Sequence, residues 1–197
     1  MSEADKNQEP KTDSELKVFF TEDKQLIEDY CALRHQAYNE DNGWKAFDGS
    51  KNRLDEWGRI CVVIKDGEVI GGARLMLSNE CQYLSSEVPG TQYEYKKYIR
   101  KYDLREDMII SEVSALAVVK KYRNRSISTK LLDLLIRESQ KCGAHYIFGT
   151  AVAVTCREYR LIFNSIGYYL EIAISYPWKQ YRSYDFVKSF PIFTKLG

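Results

Sequence analysis

Apolar positions along the chain recur with two periods, and the changes from one to the other mark the elements. Leu16 to Phe20 is a short β-rich run, and Thr21-Glu22-Asp23 follows as a cap with acidic first-turn residues opening a helix. Leu26, Tyr30, Leu33 and Ala37 then repeat at helical spacing, so one face of that helix packs on a core. From Asn39 to Trp57 the period is lost in a polar, aromatic-spiked segment, a long loop or short irregular helices of the kind that carries function in compact domains. Ile60 to Lys65 and Glu68 to Leu77, joined by Asp66-Gly67, predict a β-hairpin. Gly71-Gly72 inside its second strand signals a bulge or the close approach of another backbone. Gln82 to Asp107 is rich in tyrosine and lysine, and Tyr95, Tyr98 and Tyr102 read as a surface helix face. Met108 to Val119 is a long strand running through Lys120-Lys121-Tyr122-Arg123-Asn124-Arg125 into a helix that carries Ile127, Leu131, Leu134 and Leu135 and stops at Cys142-Gly143. A buried strand from His145 to Val154, a helix with Tyr159, Ile162, Phe163 and Ile166 ending at Gly167, and a last pair of strands from Tyr168 onward complete the order.

That order, with no internal repeat, predicts one mixed α/β (α+β) domain over residues 16–197 behind a solvated tail, residues 1–15. The composition agrees: of 197 residues, 44% are apolar and 29% charged, as in a soluble globular chain. The apolar stretch Ile147 to Val154 falls far short of the ~20 residues a membrane span needs, and the tail has no apolar core of a signal peptide. A cytoplasmic protein that is not an integral membrane protein is the expectation. A formal net charge of +1 argues against a dedicated nucleic-acid binder while leaving local basic clusters free to meet an acidic partner. The five cysteines form no CxxC pair and read as free buried thiols, and with only two histidines a His-rich metal site is hard to build, so no metal is expected.

The richest segment for chemistry is the strand, basic loop and helix from Met108 to Cys142. Unpaired N–H groups and the helix dipole at the start of such a helix attract anions, and Arg123, Arg125 and Lys130 add full charges, so a phosphate-bearing ligand suits it; a solvated turn is the plainer alternative. Glu112 is an acidic residue in an apolar strand, where a carboxylate is costly unless paired or put to work. It reads either as a general base acting through a water or as an ion-pair partner of Arg74 or Arg34. Asp55 reads as a cap or a site residue, and Tyr38, Trp44 and Trp57 as a lid over an apolar pocket or as core. No histidine is spaced to activate a cysteine nucleophile, so direct attack by an acceptor amine is preferred.

The order of elements and these residues resemble the GNAT acyltransferase superfamily, with its mixed central sheet flanked by helices. Arg123-Asn124-Arg125-Ser126-Ile127-Ser128 stands where that family has its R/Q-x-x-G-x-G/A donor loop, and Tyr159 to Tyr168 looks like its later aromatic helix ending in a G-[FY] turn. Both loop glycines are serines here, and glycine is what lets a backbone close on a diphosphate. The resemblance therefore implies a donor with a single phosphate, the acyl-phosphopantetheine of acyl carrier protein, no bound cofactor, and carrier contacts at Lys120, Lys121, Arg123, Arg125, Ser126 and Ser128. Arg34 with Tyr38, Trp44, Asp48, Asp55, Arg74-Leu75 and Glu112-Val113-Ser114 is similar in order to the motifs of acyl-homoserine-lactone synthases, but Ala115-Leu116 replaces their Arg-Phe.

With that departure the chain looks like the long-chain N-acyl amino acid synthases, including N-acyltyrosine synthases. The implied reaction moves a long-chain acyl group from acyl carrier protein to the α-amine of an amino acid, tyrosine first. Glu112 would be the base, and backbone N–H groups at Leu116, Ala117 and Val118 would meet the oxyanion or pantetheine. Arg34 and Arg74 would either grip the acceptor's carboxylate or set the loop, with Tyr38, Trp44 and Asp55 beside the acceptor. The alternatives are a lactone synthase using S-adenosylmethionine, a coenzyme A-dependent N-acetyltransferase, and a non-catalytic module that binds acyl carrier protein.

Overall fold

A computed structural model of the chain describes residues 15–44, 49–81, 105, 107–123, 125–172 and 189–196. Asp48, Asn124 and the tyrosines 95, 98 and 102 lie outside the described residues. The elements are β1 (Lys17–Thr21), α1 (Lys24–His35) continuing into a π-helical turn (Gln36–Asp41), α2 (Arg53–Trp57), β2 (Arg59–Lys65), β3 (Glu68–Leu77), β4 (Ile110–Val118), a 3-10 turn (Lys120–Tyr122), α3 (Arg125–Lys141), β5 (Tyr146–Val152), α4 (Ala153–Ser165), β6 (Glu171–Ile172) and β7 (Ser189–Lys195). The seven strands form one sheet in the order β1-β2-β3-β4-β5-β7-β6. Neighbours are antiparallel except β4 and β5, which are parallel, so the sheet is mixed as expected.

Successive side chains of a strand point to opposite faces, and β2 shows how the two helical layers divide the core. Cys61 and Val63 join Leu75, Leu131, Leu135 and Ile136 on the face covered by α3 and α4, whereas Ile60 and Val62 pack with Tyr30 and Cys31 of α1 on the other. The Asp23 carboxylate caps α1 by accepting the Leu26 N–H as expected, but the helix opens at Lys24 and its first turn holds no acidic residue. Gly143 (φ +76°) ends α3 in the left-handed conformation that a side chain resists. The His145 to Val154 run divides differently from expectation: the strand stops at Val152 and α4 starts at Ala153, with Val154 and Leu161 exposed on that helix.

Two irregularities position the site. Between Arg74 and Gly72 of β3 one residue intervenes, but between their partners Ser114 and Ala117 of β4 there are two, so β4 carries an extra residue. Ala115 takes it up with φ +56°, a left-handed conformation unusual for a residue with a Cβ. Gly72, which the sequence marked for close approach, lies opposite this bulge. A Cβ on it would come 2.5 Å from the Tyr30 ring and 2.7 Å from the Cys61 carbonyl. The second irregularity is a splay: β4 and β5 pair only from Ile110 to Glu112 with Tyr146 to Phe148.

Candidate active site

Beyond Glu112 the β4 edge facing β5 has no strand partner among the described residues, and a cleft opens there. A cavity within it is walled by Val113, Leu116, Leu132, Ile147, Phe163 and Ile192, with Tyr38, Ser114, Ala115 and Tyr159 at its polar points. Its walls come from β4, β5, β7, α3, α4 and the π turn, so it runs between the two halves of the sheet. Tyr159 was read only as part of an aromatic helix. Its phenol faces the cavity, and burial pushes its pKa well up, so it stays protonated at neutral pH.

The bulge is held by side chains. Tyr30 Oη donates to the Ala115 carbonyl and Tyr38 Oη to the Leu116 carbonyl, at 2.5 and 2.7 Å. Burial raises the pKa of both phenols, Tyr38 to about 12, so both hydroxyls remain donors. Tyr30 was legible only as a core residue of the helix face. A buried tyrosine seeks a partner for its O–H, and that was the available signal. The Tyr38 ring lies against Trp44 at 5.2 Å between centroids. Of the three residues expected at the oxyanion, Leu116 lines the cavity, whereas Ala117 and Val118 are buried opposite Gly72 and Gly71 of β3.

Asp55 organises the other polar group. It is buried, and its carboxylate receives Arg34 through two hydrogen bonds of 2.8 Å and Arg74 through one of 2.7 Å. Burial alone would raise the pKa of this carboxyl, but the Arg34 hydrogen bonds and the Arg74 charge overcome it and hold it low. Asp55 also closes a capping box by accepting the Asn52 N–H, so it is cap and ion partner at once. Arg34 is 1% exposed and also bonds the carbonyls of Gly49 and Ser50. Of the two roles open to Arg34, gripping an acceptor carboxylate is therefore corrected to setting the loop. Arg74 likewise spends its donors inside the protein, on Asp55, Asn52 and Ser114 Oγ. Glu112 is 3% exposed and one step before Ser114 on the same face of β4; the ion pairs of Arg34 and Arg74 go to Asp55 rather than to it.

The basic loop leads from β4 to the start of α3. Lys120, Lys121 and Ser126 are exposed, Ser128 is half-buried and Arg125 opens the helix. Arg123 departs from the expected phosphate grip. Its Nε donates to the Val118 carbonyl at 2.8 Å and its Nη2 pairs with Asp41 of the π turn, tying the donor loop to the segment expected beside the acceptor.

A strand running through a basic loop into the next helix is the arrangement the motifs pointed to, and the sequence matches the acetyltransferase (GNAT) family over residues 23–161. The chain belongs to the GNAT family. It is an acyltransferase with a mixed seven-stranded sheet flanked by helices. Comparison with curated protein sequences finds no match. Among solved structures the GNAT chain is similar to FeeM, an N-acyl amino acid synthase from uncultured soil microbes, with TM-score 0.67 and 10% identity over 93% of this chain and 92% of that one. It is also similar to the acyl-homoserine-lactone synthase LasI, with TM-score 0.63 and 15% identity over 93% and 91%. BjaI, a coenzyme A-dependent acyl-homoserine-lactone synthase, gives TM-score 0.62 and 16% identity over 88% and 77%. At these identities the likeness is one of fold.

Proposed function

We propose that this acyltransferase moves a long-chain acyl group from the phosphopantetheine arm of acyl carrier protein to the α-amine of a free amino acid, tyrosine first. The observation that carries the reading is the apolar cavity running inward from the β4 bulge, whose Leu132, Ile147, Phe163 and Ile192 walls suit a hydrocarbon chain. Serines at 126 and 128 and the exposed Lys120 and Lys121 support a carrier-borne donor with one phosphate. Tyr38 and Trp44 offer ring faces to an aromatic acceptor.

In this reading the thioester carbonyl lies at the bulge, where the Leu116 and Val118 N–H groups meet its oxygen. Glu112 takes the amine proton through a water on the Ser114 face; an α-amine with a pKa of about 8 needs only modest help at neutral pH. Tyr159, a protonated phenol in the cavity wall, gives a proton to the departing thiolate.

The test is a single competition. The protein is given C12 to C16 acyl groups on carrier protein and on coenzyme A, with all twenty amino acids and S-adenosylmethionine, and products are read by mass spectrometry. N-acyltyrosine drawn from the carrier is the expected product. An acyl-homoserine lactone as main product, equal turnover of free acyl-coenzyme A, or no discrimination between tyrosine and glycine overturns the reading.

A further inference from the structure

Three carbonyl groups along the bulged part of β4 each receive a side-chain donor, and the donors come from three separate elements. Tyr30 on α1 serves Ala115, Tyr38 on the π turn serves Leu116, and Arg123 in the loop before α3 serves Val118. A trans peptide is planar, so the N–H that follows a carbonyl points the opposite way. The Val118 carbonyl is turned to Arg123, and the Val119 N–H accordingly donates back to Ile70 of β3 at 2.9 Å. The Ala115 carbonyl is turned to α1, which sends the Leu116 N–H toward the cavity side. Because both polar groups of one strand residue share an edge, the Val118 N–H lies on the same open edge as its carbonyl.

An ordinary free strand edge alternates donors and acceptors, so an oxygen gaining negative charge is attracted by one group and repelled by the next. Here the acceptors are occupied. We propose that Tyr30, Tyr38 and Arg123 are positioning residues that turn the bulged edge of β4 into a cradle of N–H donors for the acyl carbonyl oxygen. The step they serve forms a bond from the amine nitrogen to the thioester carbon and moves the C=O π pair onto oxygen. On collapse the C–S bond breaks, the thiolate leaves with its electron pair and the nitrogen loses a proton. None of the three hydroxyl or guanidinium groups touches the acyl carbonyl. Tyr30 fixes the peptide whose Leu116 N–H faces the cavity side, and all three residues occupy a carbonyl whose dipole would otherwise oppose the developing charge.

The inference rests on the acyl-transfer reading of the cleft but not on the identity of donor or acceptor. Its test is therefore run on whichever pair the wild-type protein turns over fastest. A pair other than acyl carrier protein and tyrosine overturns the reading above without touching this one. A directly lost oxyanion donor costs about 10²- to 10³-fold in kcat, so the indirect loss in Tyr38→Phe is expected near 10-fold. KM for both substrates should stay within twofold, and the backbone amide proton signals of Leu116 and Val118 should shift in an 15N-labelled sample. Tyr30→Phe should act the same way, and the half-buried Tyr38 decides the matter if the Tyr30 variant does not fold. Unchanged kcat in folded Tyr38→Phe, or a fall in kcat/KM carried by KM alone, overturns the proposal.

Discussion

Asp55 holds two guanidinium groups in a place where water does not reach them, so its removal strands two charges at once. Breaking such a pair costs about 3–5 kcal/mol, and Asp55→Asn should show a loss of this size by urea denaturation at pH 7. The carboxyl is held below its unfolded pKa of about 3.9. Its contribution is therefore complete above that pH and is lost as the pH falls through the folded value. Below about pH 4 the wild type should approach the variant, and a gap that stays constant with pH would assign the cost to packing instead. Glu112→Gln should leave the fold intact and lower kcat by about 10²- to 10⁴-fold with acceptor KM little changed. The rising limb of its pH–rate profile should flatten, whereas lost ellipticity would mark a structural ion pair. At this scale the sequence showed which residues matter better than what they touch. Asp55, Arg34 and Arg74 stand in the right order along the chain, but two arginines meeting one aspartate rather than a ligand is a fact of three-dimensional closure that spacing does not encode.

Elements were legible where a period or a turn residue spoke clearly: the Asp66-Gly67 hairpin, the Asp23 cap and the Gly143 stop all lie where the residues put them. The π turn at Gln36–Asp41 and the bulge at Ala115 were not. Each arises from a neighbour's demand, Tyr38 reaching a carbonyl and β4 leaving β5, and no residue type at those positions announces it. Gly72 is the exception, because the glycine itself reports the crowding. In Gly72→Ala the new methyl meets the Tyr30 ring and the rigid Cys61 carbonyl, so a loss of about 1–3 kcal/mol is expected from overpacking. Tyr30 would be displaced from the Ala115 carbonyl, and activity should fall at temperatures where the variant is still folded. Thermal unfolding alongside the kcat of the folded fraction separates the two effects.

Charge acts across the whole molecule, which is nearly neutral overall yet exposes Lys120 and Lys121 together in the turn between β4 and α3. Replacing both with glutamate should raise the KM for an acidic carrier by about 10-fold or more at low salt. The difference should shrink as ionic strength rises, with the KM for the amino acid unmoved. An unaltered carrier KM would place the docking face elsewhere. The sheet order carries a different consequence, for how the protein comes into being. β7 slips in between β5 and β6, and its Ile192 forms part of the cavity wall. The strands β1 to β4 can close on one another as neighbours while the chain is being made. The hydrocarbon slot has no complete wall until residues 189–195 have left the ribosome, so a nascent chain stalled before that point exposes greasy surface and belongs to the chaperones.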